Sequence, residues 1–198
     1  MTYPVLKLVH IVGAILIGAG LIGVWISDMR SRQCRELPQF SEAVRNIAVF
    51  YDGLVVPGAL LLLASGTWLI VEFFGGWGFL DIPWLSGMVV LFAFEFIEGN
   101  TVTRMYFMRL RRLTQEALAG GGFTTQLEQA RSEGVPTFTH FLDLPILFVI
   151  VGLGTLKPAT WALFGAGLVL AVAVATVLTV LVPRLYPWVP QQRRQAEP

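Results

Sequence analysis

The chain has 198 residues, of which 55% are hydrophobic and 14% charged, with a formal net charge of +1 and a mean hydropathy of +0.68. That balance is too apolar for an ordinary soluble domain and reads as an integral membrane protein. The near-zero charge offers no basic face to nucleic acid, and no glycine-rich phosphate loop follows a strand-like segment, so nucleic-acid binding and nucleotide hydrolysis have no support. Cys34 is the single cysteine and cannot form an internal disulfide, which leaves packing alone to hold the fold.

A bilayer core of roughly 30 Å takes about 20 mostly apolar residues as helix. Five segments qualify: 3–27, 48–73, 82–106, 137–156 and 161–182. Their apolar runs are continuous rather than alternating, which predicts helices and not a barrel. The expected fold is therefore an all-α, polytopic membrane bundle of five helices within one embedded domain, 1–190, followed by a polar tail, 191–198. The first segment exceeds twenty residues and ends in Asp28, Arg30, Arg32 and Arg35 without a small-x-small cleavage site, so it reads as a retained anchor. The third and fourth segments carry polar residues that lipid would not tolerate and are expected to face inward.

Arginines collect on alternate connections. Arg30, Arg32, Arg35 and Arg45 lie between the first two spans, Arg104, Arg109, Arg111, Arg112 and Arg131 around the third connection, and Arg184, Arg193 and Arg194 in the tail. The loop "FGGWGFLD" has no basic residue. This asymmetry predicts the N-terminus outside, the C-terminus cytoplasmic and the segment 107–136 a cytoplasmic loop. Trp77, Trp84 and Trp161 would form an outer aromatic belt, with Tyr186 and Trp188 at the inner face. The 107–136 segment has a helical start, a Gly120–Gly122 break and a second short amphipathic stretch, and is expected to be a solvated connection.

An ionisable residue at membrane depth needs a partner, a cavity or a function. His10 lies about seven residues into the first span, roughly 10 Å below the boundary at helical rise. Gly13, Ile17 and Gly20 share its face. Such a groove suits either a flat cofactor beside an imidazole ligand or a tight helix contact in which the histidine bonds to a neighbouring helix. Glu95 and Glu98, three apart, share a face near mid-membrane, where two ionised carboxylates would repel. His140 and Asp143 repeat that spacing, and Asp52 follows Tyr51 at the same end. Asp52, Glu98, His140, Asp143 and Arg104 are thus expected to form an inner polar cluster, open to three readings: a structural network, a proton path or a metal site. His10 and His140 fall near opposite faces, roughly 20 Å apart, which argues against a bis-histidine haem between them.

Lys7, His10, Ile11 and Ala19 to Leu21 in "LKLVHIVGAILIGAGL" resemble the first span of the HemJ-type protoporphyrinogen oxidases and related CopD-like membrane proteins. "FLDLPILFVIVGLGTLKP", through Asp143, Pro145, Lys157 and Pro158, is similar to that family's last span. The resemblance implies haem b bound at His10. The third span departs, with Met88 where that family carries lysine and Glu98 or Gly99 near its later histidine. The whole pattern, including "PATW" and "VPRLYPW", resembles more closely an uncharacterised family of bacterial predicted integral membrane proteins, which implies a fold and no chemistry. Met88 lies at nearly the depth of His10, and histidine with methionine is a recognised axial pair for haem; a packing methionine is the alternative.

Three functional readings follow. One is a haem b protein, oxidoreductase-like if an enzyme, with His10 and Met88 at the iron, Gly13 and Gly20 beside the ring, and Glu95 and Glu98 moving protons. Another is a non-catalytic subunit or assembly factor of a larger redox complex, or a homo-oligomer. The third is a proton-coupled or metal transporter built on the inner carboxylates.

Overall fold

The computed structural model describes residues 2–187; Met1, Trp188 and the tail with Arg193 and Arg194 lie outside the described residues. The described chain is helical throughout, with no strand. Five stretches are long and apolar enough to cross a membrane: Thr2–Gln33, Leu37–Phe73, Pro83–Ala119, Gly134–Leu156 and Ala162–Leu185. The protein is a multi-pass, all-α membrane bundle.

Helix α1 (Thr2–Gln33) has 32 residues, about 48 Å at 1.5 Å per residue, so it outruns a bilayer core of about 30 Å. The excess is its arginine-bearing end, where Arg30 and Arg32 also suit the negative end of the helix dipole. The second crossing is one continuous rod made of α2 (Leu37–Phe50), a π-helical turn (Tyr51–Val55) and α3 (Val56–Phe73). Pro57 explains the π turn: it has no N–H to offer the carbonyl four residues back. The Val56 amide reaches five residues back to Tyr51 instead.

Gly75 and Gly76, with φ of 72° and 58°, then reverse the chain in a conformation that a side chain would resist. A short 3-10 turn, Gly76–Asp81, leads to α4 (Pro83–Glu98), which opens on its proline and runs through a second π turn (Gly99–Thr103) into α5 (Arg104–Ala119). After α6 (Thr125–Arg131), capped by the Thr124 hydroxyl on the Leu127 amide at 3.2 Å, come α7 (Gly134–Leu156) and α8 (Ala162–Leu185).

Helices continue beyond several of the ends expected from hydropathy, because amphipathic packing takes over where lipid stops. Leu110, Leu113 and Ala117 of α5 and Leu127 and Ala130 of α6 are buried with Phe40, Val44 and Ile47 of α2. The 107–136 segment therefore packs as a small water-type core at the arginine-rich end, with the Gly120–Gly122 break retained as the turn between α5 and α6. Arg131 lies over the Phe40 and Phe123 rings there, 4.7 and 5.2 Å from their centroids. At the opposite end Lys157 sits 5.4 Å over the Trp84 ring, joining the two tryptophan-bearing loops.

Burial ranks the spans as their polar content predicts. The apolar window of α7 is 50% buried and that of the third crossing 33%, against 17 to 22% for the other three. α7 is the central helix, packed on α8, α4 and α1. The closest helix approach lies elsewhere, between α1 and α3. A Cβ on Gly58 would fall 2.8 Å from the Gly13 carbonyl oxygen and 2.9 Å from the Ile17 nitrogen. Both neighbours are backbone and cannot swing aside.

Gly58→Ala is therefore expected to cost about 1–3 kcal/mol through overpacking. Gly53→Ala, whose Cβ would meet nothing within 4 Å, should leave stability unchanged. Thermal unfolding in detergent, followed by tryptophan fluorescence, compares the two.

Candidate functional site

His10 faces α3. Its Nδ1 lies 3.1 Å from the Ser65 hydroxyl oxygen, and that hydroxyl donates its only proton to the Leu61 carbonyl at 2.5 Å. Ser65 can then only accept from the ring, so Nδ1 carries the hydrogen and the neutral imidazole keeps its lone pair on Nε2. Among the described residues Nε2 has no hydrogen-bond partner, and the His10 side chain is half-buried. Gly66 permits this pose, because a Cβ there would sit 3.2 Å from the His10 Cε1.

The groove along the His10 face is filled by the second crossing. Gly13 meets Gly58 and Leu62, and a Cβ at Gly20 would fall 2.6 Å from the Val55 Cγ2. Of the two arrangements open to this glycine face, the structure has the helix contact, and any flat ligand would have to approach from the Nε2 side. Met88 does not join His10. Its Sδ packs 3.1 Å from where a Gly154 Cβ would lie, in the cluster that α4 forms with α7 and α8. It has the right depth and the wrong direction.

The expected inner cluster divides into three parts. Glu95, Glu98 and Asp143 come together between α4 and α7. Asp143 is 4% and Glu98 8% exposed, and the Asp143 carboxyl is within hydrogen-bonding reach of Glu98. The Glu98 Oε1 accepts from the Thr103 hydroxyl at 2.9 Å, while its Oε2 and the Glu95 Oε1 are buried with no N–H or hydroxyl donor among the described residues. Asp52 and Arg104 instead pair with each other at 3.3 Å, with side chains 55% and 41% exposed, an arrangement that contributes about 0–1 kcal/mol.

His140 turns to the adjoining face of α7. It is 2% exposed and neither ring nitrogen has a partner. Its ring packs edge-on against Phe107 and Trp25, with centroids 5.4 and 6.3 Å away, and the Trp25 indole donates to its backbone carbonyl at 3.1 Å. The buried ion pair of Asp28 and Arg32, at 2.9 Å, belongs to that side. Trp25 is fifteen residues from His10 along α1, about 22 Å at helical rise, so the two imidazoles lie at opposite ends.

Glu95 and Asp143 open onto a cavity of about 150 Å³ whose other polar edges are Tyr51 and Asn100, with Ile17, Leu21 and Phe92 among its apolar walls. Both π turns border it. The Tyr51 hydroxyl donates to the Gly99 carbonyl at 2.7 Å, and that same carbonyl accepts the Arg104 amide. π turns occur disproportionately at functional sites, since the extra residue reorients side chains without ending the helix. Charges about 4 Å apart repel by about 4 kcal/mol at an effective dielectric of 20, so three ionised carboxylates here would be severely unfavourable. Among the described residues no His, Cys, Asp and Glu grouping is arranged to hold a metal ion.

Ser65, Gly66, Thr103 and Asn100 escaped sequence reasoning. The signal for the first two is the polar-small pair inside "LLASGTW", which fixes neither partner nor direction. The π turns had a usable signal in "YDGLVVPG", a proline that must disturb the ladder, but none in "GNTVT".

A sequence model of a family described as "Predicted integral membrane protein (DUF2269)" matches residues 4–158. No curated protein and no solved structure matches the chain. The family match takes in the first four crossings and both candidate sites, and its description carries no chemistry.

Tyr51 is the joint between the two π turns, so Tyr51→Phe is expected to lower stability by about 0.5–1.5 kcal/mol, the net value of one hydrogen bond. Amide hydrogen exchange should quicken at Gly99–Thr103 and stay unchanged in α8, with which the bond has no connection.

Proposed function

The chain belongs to this family of predicted integral membrane proteins, and from that premise we propose a haem b-binding, redox-linked membrane protein with His10 as an axial ligand. One observation carries the reading: the Ser65 hydroxyl holds Nδ1–H and leaves Nε2 without a hydrogen-bond partner among the described residues. Ligating histidines are commonly held in this way, with the second nitrogen bonded to a fixed acceptor that sets tautomer and ring orientation. The resemblance of the first span to HemJ-type proteins supplies the cofactor class. When bound, haem would supply one-electron transfer. His10 would hold it and Ser65 would orient His10; Gly13 and Gly20 serve the α1–α3 contact, and Met88 is not part of this ligand set.

A second reading is favoured by the filled glycine groove: a non-catalytic subunit of a larger complex, in which His10 is satisfied by Ser65 alone. The visible spectrum separates the two. Gently solubilised protein should show a Soret band and a pyridine haemochrome of haem b. His10→Ala should abolish both, Ser65→Ala should weaken haem affinity about 10–100-fold, and Met88→Leu should leave the spectrum unchanged. Colourless protein that co-purifies with other subunits would replace the first reading by the second.

The resemblance of the sequence to bacterial integral membrane proteins suggests a bacterial inner-membrane location, and the arginine distribution supports the arginine-rich end in the cytoplasm. Cys34, next to the end of α1, reports on this. Partial burial raises its thiol pKa above the usual value, the larger influence, while Arg30 and Arg131 pull it back. A raised thiol pKa means less thiolate at neutral pH, so maleimide labelling should be slower than for a free thiol and should accelerate as pH rises past the ordinary thiol range. A membrane-impermeant maleimide should label Cys34 in inverted vesicles and not in intact spheroplasts; the reverse pattern would invert the topology.

A further inference from the structure

The cavity between α1, the Tyr51–Val55 turn, α4 and α7 has a charge problem that the protein alone does not solve. Glu95 and Asp143 line it, and Glu98 stands behind Asp143. Glu98 is 8% exposed, and neither its Oε2 nor the buried Glu95 Oε1 beside the cavity meets an N–H or hydroxyl donor among the described residues. Among the described residues the cation on this side is Arg104, half-exposed and already paired with Asp52. Arg32 is paired with Asp28 on the His140 side of α7. The groups around the cluster are therefore Tyr51 and Asp52 from the second crossing, Arg104 from the start of α5, and, on the adjoining face of α7, His140 with the Asp28–Arg32 pair. None of them neutralises three carboxylates.

We infer that this cavity is a membrane-buried proton-binding site, in which Glu95, Glu98 and Asp143 share exchangeable protons with water admitted past Tyr51 and Asn100. It goes beyond the haem reading and does not depend on it. The cavity of about 150 Å³ is mostly apolar in its walls, but Tyr51, Glu95, Asn100 and Asp143 line it, which gives room and partners for a few waters. Among the described residues no grouping of His, Cys, Asp and Glu is placed to hold a metal ion together, and a cation site is the competing outcome of the test below. The step itself is acid–base exchange. An O–H bond of a hydronium in the cavity breaks, an O–H bond forms on a carboxylate oxygen, and water remains. Ile17, Leu21 and Leu147 give the cavity apolar wall, and in this proposal protons enter and leave past the polar edge formed by Tyr51 and Asn100.

Infrared difference spectroscopy of the intact protein in lipid nanodiscs tests this. At neutral pH the wild type should show a protonated-carboxyl C=O band that surface carboxyls, ionised at that pH, cannot supply. The band should shift within minutes of exchange into D₂O and disappear on raising the pH. Glu95→Gln and Asp143→Asn should each remove part of it, and the double variant should reduce it roughly twofold or more, as expected of a coupled set. The wild-type measurement stands whether or not the variants fold. Absence of the band at neutral pH would overturn the inference, as would a band that resists D₂O for hours, the mark of a dry structural network. Carboxylate bands that shift on adding Na⁺, K⁺ or Mg²⁺ at constant pH would overturn it in favour of a cation site.

Discussion

The glycine contact between α1 and α3 sets the position of nearly everything polar in this membrane protein. With no side chain at Gly13 or Gly58, backbone meets backbone, and the gain is dispersion and close packing rather than hydrophobic burial, since lipid is as apolar as the helices. The register fixed there carries His10 onto Ser65 toward one end. Toward the other it presses Gly20 and Gly23 against Val55 and Phe50, which delivers the Tyr51 turn to the cavity. One steric fact thus places both candidate sites, although they lie in different halves of the bundle.

Around α7 the logic is electrostatic. A helix with half of its apolar window buried can carry His140 and Asp143 because it meets protein on several sides. Those two residues are three apart, so their directions differ by about 60° at 100° per residue. On a lipid-facing helix that offset would matter little. On a central helix it sends Asp143 to Glu98 and His140 to Trp25 and Phe107. The same spacing that suggests one cluster produces two environments, one of carboxyls around a cavity and one aromatic.

The architecture was legible because a bilayer imposes a simple rule: a continuous apolar run of sufficient length must be helical, and polar residues within it must face protein. Five crossings, and the inward bias of the third and fourth, follow from that rule alone. What escaped was whatever depends on the azimuth of one helix against another. Met88 had the depth of His10 and faces Gly154 instead. Ser65 lies fifty-five positions from His10 in sequence, and nothing local marks it as the partner. The helical extensions at the arginine-rich end were obscured for another reason. Hydropathy reports the bilayer, whereas Leu110, Leu113 and Ala117 are spaced for a water-facing amphipathic helix.

The two π turns bear on why the carboxyl cluster sits where it does. Each interrupts a rod that continues on both sides, so each widens one turn without breaking the crossing. In the second crossing the cause is Pro57; in the third no proline lies at the turn, and the Tyr51 hydroxyl donates to the Gly99 carbonyl that also accepts the Arg104 amide. A Cβ on Gly99 would fall 2.8 Å from that hydroxyl, so glycine is required for the two turns to meet. The turn forced by proline in one crossing thus braces the turn in the next. Between them they border a cavity in which Tyr51, Glu95, Asn100 and Asp143 are set in an otherwise apolar wall, at the depth of the three carboxyls.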